Sequence, residues 1–188
     1  NTMIKDINTE EAKEFLNKYH IQNYSASSIN IGCYNNDELI GVMSFGKPRF
    51  NVNFQYELIR LCWKSDTIVI SGVEKLFKYF KDKYNPTSII TYSDLSKFTG
   101  KSYLKIGFKP DGITAPNYKW ISAYDNNVLS RYQTQKHILV EKGLGNDDQT
   151  EAEIMHSLGY LRVYDCGNLR LTWYTQEEKI NQKGDASF

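Results

Sequence analysis

Tyr56-Glu57-Leu58-Ile59-Arg60-Leu61-Cys62-Trp63 is an apolar run of strand length interrupted by two charges. After a short loop, Ser71-Gly72 opens a stretch in which Val73, Leu76, Phe77 and Phe80 recur three or four residues apart. That spacing predicts a helix with one apolar face, capped by Ser71 and stopped at Asn85-Pro86.

The flanks extend the pattern. Upstream, Asn8-Thr9-Glu10-Glu11 opens a helix ending near Tyr19, with early carboxylates suited to the positive helix end. Ser28 to Tyr34 and Leu39 to Phe45 form a hairpin around Asn35-Asn36-Asp37, and Lys47-Pro48-Arg49 breaks its second strand. Downstream, Ser88 to Tyr92 reads as a buried strand. Ser93-Asp94 starts a helical stretch reaching Ile106, and Tyr118 to Ile121 reads as a strand. The order predicts a mixed α/β (α+β) fold, a central mixed sheet with helices on its faces. Beyond it come a basic segment from Leu129 to Leu139, a Gly/Asp loop from Gly143 to Gln149 and a helix capped by Thr150 and Glu153. Leu161–Tyr164 and Leu169–Tyr174 are expected to pair as a hairpin around Asp165-Cys166-Gly167-Asn168. The organisation expected is one domain over residues 1–175 (core about 5–122, extension about 123–175), with a flexible tail over 176–188.

Of the 188 residues, 40% are hydrophobic and 24% charged, which excludes low-complexity disorder. There is no apolar run of membrane-spanning length, and no basic-then-apolar leader opens the sequence, so neither a membrane span nor a secretory signal is expected. The net charge is +1, but it is unevenly spread. Ser44 to Lys142 holds 16 Lys+Arg against 8 Asp+Glu, while the remainder holds 7 against 14. A basic middle suggests a polyanionic partner for one face, and DNA is the expected one. Cys33, Cys62 and Cys166 are far apart, with no CxxC and scattered histidines, so no metal site is expected and a reducing cytoplasm is the expected location.

Glu57 and Arg60 are charges inside an apolar strand, three apart and therefore expected on opposite faces. Each reads either as half of a structural ion pair or as a residue entering a central cleft. Asp94, at a strand end, reads either as an N-cap or as a base or anchor near Tyr103. Lys97, Lys101 and Lys105 are expected to form one helical stripe, extended by Lys109. Lys47 and Arg49, beside Phe50, and Arg131, Gln135, Lys136 and His137 are the candidate nucleic-acid contacts, with Arg131 and Gln135 expected on one helix face. No P-loop, HExxH, GxSxG, EF-hand, HNH or GIY-YIG pattern is present.

The hairpin, the strand Glu57–Trp63, the helix after Ser71-Gly72 and the ending Tyr103-Leu104-Lys105-Ile106-Gly107-Phe108 together resemble the GNAT acyltransferase superfamily. The resemblance covers roughly residues 5 to 122. It implies that Tyr103 acts as general acid to a leaving thiolate and that Ser71 and Gly72 face the phosphates of an acyl-CoA. The sequence departs from the family in its single glycine there, where a Gly-rich turn is usual, which leaves the cofactor open. A second resemblance joins Tyr56–Arg60, Tyr92-Ser93-Asp94, Ser130–His137 and Gly159–Asn168 to a domain of phage proteins found beside homing-endonuclease modules, and to Mom-type DNA-modification proteins. It implies a phage-encoded, DNA-associated protein; with the acyltransferase resemblance, the expected activity is a transferase acting on a base or other amine, with Tyr103, Asp94, Glu57 and Arg60 as its candidate catalytic residues. The alternative is a non-catalytic DNA-binding domain that positions a nuclease module in the same or a separate chain.

Overall fold

A computed structural model describes residues 2–176, so the tail expected over 176–188 lies, but for Gln176, outside the described residues. The chain divides into two compact units. One comprises the residues up to Ser93, Thr99–Gly112 and the residues from Leu169; the other comprises Asp94–Phe98 and Ile113–Asn168.

The first unit is built on a seven-stranded sheet. Its elements in chain order are β1 (Thr2–Asp6), α1 (Thr9–Tyr19), β2 (Ile29–Asn35), β3 (Glu38–Gly46), β4 (Tyr56–Trp63), α2 (Gly72–Tyr84), β5 (Ser88–Asp94), α3 (Lys101–Lys105) and β6 (Lys109–Ile113). The second unit follows with β7 (Tyr118–Ser122), β8 (Val128–Ser130), α4 (Lys136–Glu141), α5 (Glu151–Ser157) and β9 (Tyr160–Tyr164), and β10 (Asn168–Tyr174) returns to the first. The large sheet has the order β1-β2-β3-β4-β5-β10-β6, antiparallel from β1 to β4 and parallel between β4 and β5.

Local chemistry explains the elements that the sequence predicts. The Asn8 side chain accepts the Glu11 N–H and starts α1. Asn36 and Asp37 both take positive φ, the geometry of a tight hairpin turn between β2 and β3. The two helices pack on opposite faces of the sheet. Val42 and Cys62 meet Ala12, Phe15 and Leu16 of α1, whereas Met43, Phe45 and Leu58 meet Leu76, Phe77 and Phe80 of α2. Phe45 and Phe80 stack with ring centroids 3.6 Å apart.

The second unit has a three-stranded sheet, β8-β7-β9, over a core of Trp120, Leu139, Ile154 and Met155. Thr150 and Glu153 form a reciprocal capping box at the start of α5. Glu151 joins the unit together: its carboxylate accepts from Trp120 Nε1 (2.8 Å), Tyr118 Oη (3.0 Å) and Thr134 Oγ1 (3.1 Å).

Several expectations are corrected. The last two strands do not form a hairpin, because β9 pairs with β7 while β10 sits between β5 and β6. Gly167, at φ +73°, lies where a Cβ would meet the Thr114 carbonyl oxygen at 2.4 Å, so this tight crossing requires glycine. The strand at Tyr118 belongs to the small sheet, and β10 completes the large one. The helix expected from Ser93 to Ile106 shrinks to α3, because Asp94 bonds back to Ser96 N–H and Gly100 is left-handed. Lys97 is therefore off the helix and pairs with Asp94 at 2.7 Å, which breaks the lysine stripe. Strands β1, β6 and β8 were not predicted; β6 contains Pro110 and Gly112 and lies at the sheet edge, where proline is tolerated.

Candidate active site

β4 carries the site because it changes partner along its length. Ser44 pairs with Arg60 and Phe45 with Leu58, so Ile59 is the extra residue of a β-bulge. On the other side, β4 and β5 pair only at Tyr56–Ile89, Glu57–Ile90 and Leu58–Thr91. Beyond Leu58 the two parallel strands run on without pairing, β4 to Trp63 and β5 to Asp94. Thr91 Oγ1 donates to the Leu58 carbonyl at 2.8 Å and closes the apex of this split.

The bulge also corrects a prediction. Glu57 pairs with Gly46, and Arg60 with Ser44, and residues 44 and 46 share one face of β3. The inserted residue brings Glu57 and Arg60 to the same face, that of Val42, Cys62 and α1. Three-residue spacing would have separated them in a regular strand.

Tyr103, on α3, reaches the apex, where its side chain interacts with Thr91. Burial raises its pKa, against the opposing pull of Thr91 and the Arg60 charge, so the phenol is held protonated. Glu57 is 1% exposed and accepts from Arg49 N (2.8 Å), Nε (3.0 Å) and Nη2 (2.5 Å). These bonds fix the loop after β3, with Phe50 edge-on to Tyr92 at 5.8 Å. Arg49 is thereby committed to Glu57 and Ser25, while Lys47 is exposed. Glu57 holds the loop: Oε1 accepts the two Arg49 side-chain donors and Oε2 the Arg49 backbone N–H. The Arg60 guanidinium donates to three backbone carbonyls, those of Asn23 (2.9 Å), Ile59 (3.0 Å) and Gln22 (3.5 Å). His20 accepts the Gln22 N–H on Nδ1, and burial with the Arg60 charge lowers its pKa to about 4.

Other predicted residues lie elsewhere. Asp94 belongs to the second unit and Tyr103 to the first. The Asp94 carboxyl sits below its ordinary range: burial opposes ionisation, but hydrogen bonds from Lys97 and Ser96 outweigh it. Asp94 does not cap a helix. Arg131 lies in a turn, Gln135 precedes α4 and only Lys136 and His137 are helical, so Arg131 and Gln135 do not share a helix face. Lys136 Nζ donates to the Asp147 carbonyl. Arg131 instead packs over the Tyr118 ring at 5.3 Å, as does Arg162 at 5.2 Å. Sequence reading missed Arg162, His20 and Ser44. For Arg162, a charge alternating with aromatics in Tyr160–Tyr164 was a visible signal.

An acyl-CoA donor fits part of this arrangement. The unpaired β4 edge offers backbone groups to an amide-bearing arm. Ser93 Oγ, on β5 past the last β4–β5 pair, is buried and has no hydrogen-bond partner among the described residues. The phosphate end fits less well. Ser71 takes the N-cap position expected of it and its carbonyl accepts the Lys75 N–H at 3.0 Å, but it is left-handed (φ 53°) and its side chain makes no cap bond. Gly72 is required by packing, since a Cβ there would meet the Trp63 ring at 2.5 Å. In the first turn of α2 the Gly72 N–H is taken by the Val69 carbonyl at 3.1 Å, the Ser71 side chain caps none of the amides that follow, and the turn also holds Glu74.

No family model and no curated protein matches the chain. Solved structures do. An IAA acetyltransferase from Bacillus cereus aligns with TM-score 0.50 and 11% identity over 93% of this chain and 100% of that one. The ribosomal-protein-S18-alanine N-acetyltransferase from Escherichia coli gives 0.51 and 10%, over 93% and 94%. A putative GNAT-family acetyltransferase from Desulfovibrio desulfuricans gives 0.51 and 6%, over 93% and 99%. At these identities the likeness establishes the fold: a mixed α/β GNAT acetyltransferase fold.

Proposed function

We propose that the chain is an acyl-CoA-dependent N-acyltransferase. The observation that carries this reading is the split between β4 and β5, bulged at Ile59, with the protonated Tyr103 phenol at its apex. The β4 edge orients the thioester arm, and its backbone N–H groups face the carbonyl oxygen where negative charge develops. Tyr103 supplies the proton to the departing thiolate. The α2 first-turn amides of Val73 and Glu74, which follow Ser71-Gly72, meet the phosphate end. The acceptor is an amine, and a nucleic-acid base is the finer reading that the phage-type resemblance adds. Calorimetry with acetyl-CoA, followed by thiol release against a panel of amines, tests this. Tyr103→Phe is expected to keep acetyl-CoA affinity and to lower kcat about 100-fold. A wild-type protein that neither binds acetyl-CoA nor releases thiol would end the reading.

A second reading is favoured by the small unit. Arg131 and Arg162 stack on Tyr118, with Tyr132 and Tyr164 exposed nearby in the same unit. Stacked cations and exposed aromatics suit a nucleic-acid strand. On this reading the unit binds DNA, either for the chain's own transfer reaction or to position a nuclease module of phage type.

A further inference from the structure

Arg60 carries a charge that the surrounding residues orient but do not neutralise. Its three hydrogen bonds all go to neutral main-chain carbonyls. Among the described residues it joins no ion pair; the six that form use other groups. The carboxylate on its face, Glu57, acts on it only through space, against the opposing Arg49 charge, and is itself held by three Arg49 donors. A guanidinium has five N–H donors in a rigid fork, so donors remain after these three bonds. A half-buried cation without an anion is costly unless water or a ligand answers it.

A second observation lies beside it. Ser44 is directly in register with Arg60 across β3–β4 and on the same face. Its hydroxyl is fully buried and, among the described residues, has no hydrogen-bond partner. An oriented fork next to an unused hydroxyl is a donor set for a planar or tetrahedral oxyanion.

We propose that Arg60 and Ser44 form an anion subsite that takes a carboxylate or phosphate group of the acceptor amine. Naming the ligand as the acceptor rests on the acyltransferase reading above; the anion subsite itself does not. The subsite lies on the α1 face at the bulge, so the acceptor's amine would approach the split with its anionic group held at Arg60.

The test uses the full chain. Binding of sodium acetate and of inorganic phosphate is followed by backbone amide shifts of Ile59 to Cys62. Wild type is expected to bind at least one of them, Arg60→Gln at least tenfold more weakly, and Arg60→Lys in between, because the charge stays but the fork is lost. A preference for acetate points to an amino-acid type of acceptor, and one for phosphate to a nucleotide. Thiol release is then compared for an amino acid against its amide, and for a nucleoside monophosphate against the nucleoside. The KM for the anionic member is expected to rise tenfold or more in Arg60→Gln while acetyl-CoA affinity holds. If Arg60→Gln melts below the assay temperature, Ser44→Ala and Arg60→Lys carry the comparison. Absence of anion binding in wild type, or equal binding in the variants, overturns the subsite. Anion binding that depends on Arg60 without any thiol release sustains the subsite and removes the acyltransferase reading.

Discussion

Arg49→Ala removes the only cation that, among the described residues, is hydrogen-bonded to Glu57, a carboxylate 1% exposed. Two side-chain bonds vanish, from Nε at 3.0 Å and Nη2 at 2.5 Å, while the backbone bond from residue 49 at 2.8 Å can persist. Breaking one side of a buried pair costs about 3–5 kcal/mol, because the remaining charge is left unanswered. Here Arg49 is itself 42% exposed, so water can reach part of the gap, and the loss should fall near about 3 kcal/mol. Arg49→Lys keeps the charge and loses the fork, for about 1–2 kcal/mol. Urea denaturation of Arg49→Ala, Glu57→Gln and the double variant forms a cycle. The double variant should lose less than the two singles added together. An Arg49→Ala cost under about 1 kcal/mol, or strict additivity, would refute the view that this pair anchors the loop after β3.

Other outcomes follow from the same structure. Glu151→Ala strands the donors of Trp120 and Tyr118, while the Thr134 hydroxyl keeps the Ser130 and Arg131 carbonyls, and should destabilise the smaller unit by about 2–3 kcal/mol, measured by amide exchange at Trp120 and Leu139. His20 in the folded protein resists protonation until about pH 4, whereas the unfolded chain takes up a proton near 6.5. Stability should therefore fall as the pH drops from 6.5 to 4, by about 1–2 kcal/mol after allowance for partial exposure, and His20→Gln should flatten that slope in pH-dependent melts. Arg131→Ala with Lys136→Ala should weaken DNA binding and reduce its salt slope by up to about 2 in a titration across salt concentrations; unchanged binding would remove these residues from any DNA interface.

The helices and strands that were legible in sequence are those whose signal is local. Asn8 with Glu11, Thr150 with Glu153 and the spacing of Leu76, Phe77 and Phe80 act within a few residues, so α1, α5 and α2 appear where expected. Asn36 and Asp37 likewise fix their hairpin. The Tyr103–Phe108 ending was readable as a motif, but the partner of Tyr103 was not, since Thr91 lies on another strand. Asp94 shows the limit from the other side: its cap-like position was visible, but its commitment to Ser96 and Lys97 was not.

The sequence by itself determined most of the helices and strands, with β1, β6, β8 and the short α3 excepted, and that they alternate as a mixed α/β fold. Tertiary structure decided which strand lies beside which. The apolar pattern of β9 and β10 is equally compatible with a hairpin, and only packing sends them to different sheets. It also decided the site. Glu57 and Arg60 keep the same sequence spacing in any strand, yet the bulge at Ile59 puts them on one face and gives one of them a partner. A bulge is a relation between two paired strands, so it has no expression in either strand alone.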